Sequence, residues 1–311
     1  MVVCDAGSVP LHPEMVGAGE NAAQLGAFVQ EARKSHGDKG EAAARYLIAG
    51  MPGRDKKTLT ARFLYENLLL AFAAREEFPW AGKVPWEMFY NDVLPYASLD
   101  ETREAWRKDF LEKARPIVKD CKTAGEAAQA LNREFFNLIG VHYNTGRKKP
   151  NQSPSESMKL KMATCTGLSI ILVDACRAVG VPARVVGTPL WANKRGNHTW
   201  VEVWDGEKWC FTGADEYNKD GLDRAWFVND ASQAIADDWR HAIWASSWKK
   251  GDHHFPMVWD LENKEVPAVN VTNRYAKEKP AAGVETVEVF FRVFETSGGK
   301  RLALPIEVVD E

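Results

Sequence analysis

The apolar spacing of this chain changes character once, at Gly180-Val181-Pro182, and that change limits the available folds more than any other feature. Upstream, from about residue 23, apolar residues recur at intervals of three and four in "AAQLGAFVQEARK", "GEAAARYLIAGM", "LTARFLYENLLLAFAARE", "LDETREAWRKDFLEKARPIVKD" and "TAGEAAQALNREFFNLIG". This is the pattern of amphipathic helices. Caps are legible at Asp55 or Thr58, at Ser98 with Glu101 three residues on, and at Thr123 with Glu126 three residues on. A further helix is expected over about 164–179. Downstream of Pro182 the period becomes two, in "ARVVGTPLW", "HTWVEVW" and "KWCFTGA", joined by "ANKRGN" and the hairpin signal "DGE". Helices followed by an antiparallel meander make an α+β core.

Residues 1–22 are rich in Gly, Ala and Pro and read as a loose arm. The segment 144–157, "NTGRKKPNQSPSES", is a polar loop leading into the helix that begins near Cys165. A Trp-rich stretch over 222–260 is mixed in pattern. Beyond 266, "VPAVNVTNRYA", "ETVEVFFRVFE" and "RLALPIEVVDE" alternate as strands.

Composition excludes several function classes. A net charge of −3 and a pI near 6.2 provide no basic footprint for nucleic acid. The longest apolar runs, such as "LLLAFAA" over 68–74, fall short of the roughly 20 residues a membrane helix needs. The first 24 residues lack a basic leader followed by an apolar stretch, so no signal peptide is expected. The compartment stays open between the cytoplasm and a trimmed, exported form. Five cysteines without CxxC spacing suggest neither a disulfide framework nor structural zinc. His253 and His254 lack a spaced third ligand and read as a surface loop, so no metal and no cofactor is expected.

Two of the cysteines, Cys165 and Cys176, stand at opposite ends of one expected helix. Cys165 falls in the first turn after the candidate cap Thr164, where unpaired amides and the macrodipole favour a thiolate. Cys176 falls near the negative end, where an anion is disfavoured. Eleven helical residues put the two roughly 16 Å apart, beyond disulfide reach. A thiolate needs a base, and the base an orienting acceptor. His198 opens one strand and the acids Asp215 and Glu216 close the next; in an antiparallel pair these ends are neighbours. The order Cys165, His198, acid fits a thiol acyl-transfer triad.

The blocks "ATCTGLSIILVDACRAVGVPARVVG", "NHTWVEVW" and "EKWCFTGADE" resemble the three motifs of the transglutaminase-like superfamily, bacterial type, whose core is papain-like. The resemblance implies a central helix headed by the nucleophile Cys165 and packed on an antiparallel sheet. It divides the chain into the arm (1–22), a helical region (23–124), a transglutaminase-like core (125–262) and a C-terminal β appendage (263–311). It implies His198 as the base. The family's acid comes four residues after the third-block Trp, which here is Gly213, so Asp215 or Glu216 must substitute; "GADE" resembles variant members with a shifted acid, which favours Glu216. By analogy with papain-like enzymes, Gln152 is the candidate upstream oxyanion donor beside the Cys165 amide. Trp191 and Trp200 are candidates for lining the acyl groove. The activity implied is acyl transfer from peptide or protein carboxamides through a thioester, open between hydrolysis and transamidation. The alternative is a non-catalytic scaffold with a degenerate triad. Substrate identity and oligomeric state are not legible.

Overall fold

The computed structural model describes residues 13–276, 292–296 and 299–302 of the 311. After two short 3-10 turns, the N-terminal half is helical: α1 (Ala22–Gly50), α2 (Gly53–Thr58), α3 (Ala61–Glu77), α4 (Trp86–Met88) running into a π-turn (Phe89–Val93), α5 (Arg107–Val118) and α6 (Ala124–Ile139). The two helices expected between 23 and 51 are joined as one. Gly37, at φ +58°, supplies the kink between them.

The expected caps meet different fates. Thr123 accepts from the Glu126 amide at 3.1 Å and starts α6 as read. The cap of α3 is Thr60, which accepts from the Phe63 amide. Asp55 instead lies buried in α2, taking the Tyr96 hydroxyl at 2.8 Å and the Arg103 guanidinium at 2.9 Å. Glu101 does accept from the amides of Ser98 and Leu99, yet the helix begins only at Arg107. Tertiary contacts hold the intervening residues irregular. Glu104 accepts from the Ser155 amide and the Ser153 hydroxyl, Thr102 donates to Glu156, and Asp100 receives Asn151. That stretch clamps the loop ahead of Cys165, which a regular helix there would not do.

Then follow β1 (His142–Tyr143), α7 (Pro154–Leu160), β2 (Met162–Ala163), α8 (Cys165–Ala178), β3 (Ala183–Thr188), β4 (His198–Trp204) and β5 (Trp209–Thr212). Next come α9 (Val228–Ser232), β6 (Trp244–Ser246), β7 (His253–His254) and β8 (Pro267–Asn270). β1 and β2 pair in parallel. The main sheet is antiparallel, in the order β5-β4-β3-β6-β8-β7. His253 and His254 thus form a short edge strand rather than a loop. Of the expected C-terminal strands, the first is β8, which joins the main sheet rather than an appendage, and what is described of the others is a separate hairpin, β9 (Val293–Phe294) with β10 (Arg301–Leu302). Much of "ETVEVFFRVFE" and nearly all of "RLALPIEVVDE" lie outside the described residues.

α8 is buried along almost its whole length and packs on β3 and β4. Its Leu168, Ile171 and Leu172 join Phe110 and Phe135 from α5 and α6 and Val185 and Val201 from the sheet in one core. The C-terminal end of α8 is tied to the helical half by two buried guanidinium groups. Arg177 donates to the carbonyls of Asp92, Ala97 and Ala183, each at 3.0 Å. Arg107 donates to the carbonyls of Arg177, Val93, Leu94 and Pro95 and to Asn67. Charged donors satisfy these buried carbonyls more strongly than neutral ones would. Among the described residues no helix is long and apolar enough to cross a membrane.

Candidate active site

Cys165 is the first residue of α8 and is half-buried. Thr164 takes the N-cap position in an extended conformation, but its side chain accepts no bond from the first turn. The two-residue β1–β2 pairing, with Tyr143 opposite Ala163, fixes the backbone that enters the helix. Gly167 one turn on is required by crowding, since a Cβ there would meet the Ala163 methyl at 2.9 Å.

His198 opens β4 opposite Thr188 of β3. The residues following the cysteine and the histidine touch: the Thr166 and Thr199 hydroxyls lie 3.1 Å apart. α8 and β4 are thereby locked with Cys165 and His198 at adjacent ends. The imidazole is enclosed by Trp226 (centroids 4.8 Å), Phe227 (5.0 Å), Trp200 (5.8 Å) and Trp191 (6.1 Å). Its Nε2 is buried with no hydrogen-bond partner among the described residues. Burial, reinforced by the nearby Arg301 and Arg292, holds its pKa well below the usual histidine value, which favours the neutral ring.

The two acids after β5 diverge. Asp215, at the left-handed φ of +60°, turns to His142 and meets its Nδ1 at 3.1 Å. No motif or spacing in the sequence marks His142 for this contact. The bend is held by Asn132 of α6, which accepts from the Asp215 amide and donates to the Gly213 carbonyl and the Thr212 hydroxyl. Glu216 points the other way: Oε2 accepts from Trp226 Nε1 at 2.9 Å and Oε1 pairs with Arg301. Its carboxylate lies back against Gly213, where a Cβ would collide with it. Glu216 therefore fills the space that a side chain at 213 would occupy, one indole away from His198.

Gln152 is buried, and its amide is engaged within the loop. It donates to the Met162 carbonyl (2.9 Å) and the Ser157 hydroxyl (3.3 Å) and accepts from the Lys148 amide. Trp191 and Trp200 are buried and stacked on each other with centroids 5.8 Å apart, behind His198. Among the described residues no group of three His, Cys, Asp or Glu side chains could hold a metal ion.

Residues 112–214 match the core profile of the transglutaminase-like superfamily. This segment is similar to a transglutaminase-like core. Members of that superfamily are often cysteine-dependent enzymes. A solved structure described as a "putative cysteine protease" from Cytophaga hutchinsonii is similar at 19% identity and a TM-score of 0.31, over 37% of this chain. The matched part spans 40% of that structure's length. No curated protein matches the chain. The matched segment runs from within α5 to the start of the acid-bearing turn, so it contains Cys165 and His198 and ends one residue before Asp215.

Proposed function

We propose that the protein is a thiol-dependent acyl-transfer enzyme acting on peptide or protein carboxamides, with Cys165 as nucleophile, His198 as base and Glu216 as the acid that orients it. The observation that carries this reading is the Glu216 carboxylate lying against Gly213, the position where the superfamily pattern expects its acid. The Glu216 carboxylate takes the space that a side chain at 213 would need. Asp215 is engaged with His142 on the other side of the turn, which leaves Glu216 as the carboxylate on the His198 side.

In the proposed reaction, neutral His198 takes the Cys165 proton as sulfur attacks the amide carbonyl. Negative charge develops on the carbonyl oxygen beside the uncapped first turn of α8, where backbone amides and the helix dipole stabilise it. The tetrahedral species expels the amine, the C–N bond breaks, and the imidazolium returns its proton to the departing nitrogen. A thioester remains on Cys165. Attack by water on this thioester would give hydrolysis, and attack by an amine transamidation.

The test is covalent labelling with a chloroacetamide-bearing peptide. Stoichiometric labelling is expected, abolished in Cys165→Ala and retained in Cys176→Ala, with release of amine from carboxamide peptides by the unlabelled protein. A second reading, a scaffold without turnover, is favoured by the absence of any bond between His198 Nε2 and a described residue. Labelling of Cys165 no faster than a free thiol, with no amine release, would establish that reading instead.

A further inference from the structure

We propose that the cavity enclosed by α6, the 213–216 turn and the β9–β10 hairpin binds a carboxylate carried by the substrate, so that this site selects acidic peptides. For the word "substrate" this rests on the thiol-enzyme reading; the binding itself does not. The cavity has a volume of about 450 Å³, within the range of small-ligand sites. Its charged lining is mostly cationic, with Arg133, Arg224, Arg292, Lys300 and Arg301 set against Asp215 and Glu216, and Arg133 paired with Glu134. Both acids are already engaged, Asp215 by His142 and Glu216 by Arg301 and Trp226. Arg224, Arg292 and Lys300 make no hydrogen bond or ion pair through their side chains with any described residue.

An exposed arginine is ordinarily just solvated, but Arg292 is not free in water. Its guanidinium is laid over the Trp226 ring at 4.3 Å, and Arg301 lies over the same ring at 5.2 Å. Burial and the proximity of Arg301 and Arg195 push the Arg292 pKa down, the mark of cations gathered without enough counter-charge. Like charges held together in this way gain most from an anion that arrives from outside, and two guanidinium forks suit a carboxylate.

The cavity adjoins the proposed chemistry. Trp226 lines it and also packs against His198. Arg301 lies over Tyr143 at 4.3 Å, beside the strand that leads into Cys165. A substrate carboxylate here would sit one indole from the base. It would also compete with Glu216 for Arg301, so occupation loosens the pair that now holds Glu216. A peptide is favoured over nucleic acid because the cavity offers only a few cations, in a chain of net charge −3.

The experiment is calorimetric titration of the full chain with N-acetyl-triglutamyl amide, its triglutaminyl counterpart, and inorganic phosphate at matched ionic strength. The acidic peptide is expected to bind to wild type and to Cys165→Ala alike, with the glutaminyl peptide at least roughly tenfold weaker. The double variant Arg224→Gln/Arg292→Gln, both changes on exposed side chains, is expected to lose a similar factor while its circular dichroism stays that of wild type. Equal binding of the two peptides, or unchanged affinity in the double variant, overturns the proposal. Complete displacement by phosphate at equal concentration would make the cavity a general anion site and overturns it equally. Carboxylate binding without any labelling of Cys165 would sink the enzyme reading and leave this site standing.

Discussion

The two ends of α8 carry a cysteine each, and their surroundings are opposite. At the N-terminal end Cys165 is half-buried, the first turn has no side-chain cap, and a histidine stands nearby with a nitrogen that has no partner among the described residues. At the C-terminal end Cys176 is buried, and burial pushes its thiol up to about 12. Around it Arg177 and Arg107 bind carbonyl groups from the helical half and from β3. One end of the helix is open to chemistry while the other is fixed into the protein. The difference teaches that the first turn carrying Cys165 is held in place from the far end, three turns away.

The largest effect is expected where the anchor is cut. Arg177→Ala leaves the carbonyls of Asp92, Ala97 and Ala183 without their buried donor, at a cost of about 3–5 kcal/mol. Denaturant unfolding measures it; a loss under 1 kcal/mol would mean the C-terminal end is no anchor. Labelling per folded molecule at Cys165 should be unchanged, which separates anchoring from chemistry.

Next comes Glu216→Gln, on the open side. If this acid orients His198, amine release should fall roughly 100-fold with little change in unfolding free energy. Asp215→Asn should instead spare turnover, since Asp215 faces His142. Equal losses in both variants would break the assignment.

A third contrast uses pH. Asp174, in the buried half of α8, has no hydrogen-bond partner on either oxygen among the described residues, and burial holds its carboxyl well above the usual range. A folded pKa raised above the unfolded one means the folded state keeps a proton that the unfolded chain has released. Its contribution is therefore fully present below about pH 3.9 and declines as pH rises, by at most about 1.4 kcal/mol per unit, until the folded group ionises. Asp92 and Glu216 are raised in the same sense, so the difference between Asp174→Asn and wild type isolates this residue. The variant should gain on wild type with rising pH between 4 and 7. A difference that does not vary with pH would show that Asp174 is ionised in the fold.

How much of this was legible in the sequence follows the same division. The helix over Cys165–Ala178 and strands β3, β4 and β5 coincide closely with the expected segments, because periodicity and Gly/Pro breaks are local signals. The unequal cysteines were legible because position along a helix is also local. The late start of α5 at Arg107 was not, since Glu104 and Thr102 are recruited by a loop about fifty residues away. Nor was the pairing of His142 with Asp215, which depends on the left-handed bend that Asn132 holds from α6. "GADE" presented two adjacent carboxylates, between which only the resemblance favoured Glu216; their divergence arises from that bend and from Arg301 on the hairpin, neither of which a linear spacing contains.

The smallest expected effect is at Cys176 itself. Its side chain packs in the core among apolar neighbours and its thiol is not ionised at neutral pH, so it can contribute only volume. Cys176→Ala removes one sulfur from a close-packed site, a loss of about 1 kcal/mol by comparison with single-methyl deletions. Labelling at Cys165 should stay within about twofold of wild type, because the helix still ends in the Arg177 anchor and the change leaves the first turn untouched. Loss of Cys165 labelling in Cys176→Ala without unfolding would mean that the two ends of α8 are coupled through the helix, and the contrast between a reactive end and a packed end would fail.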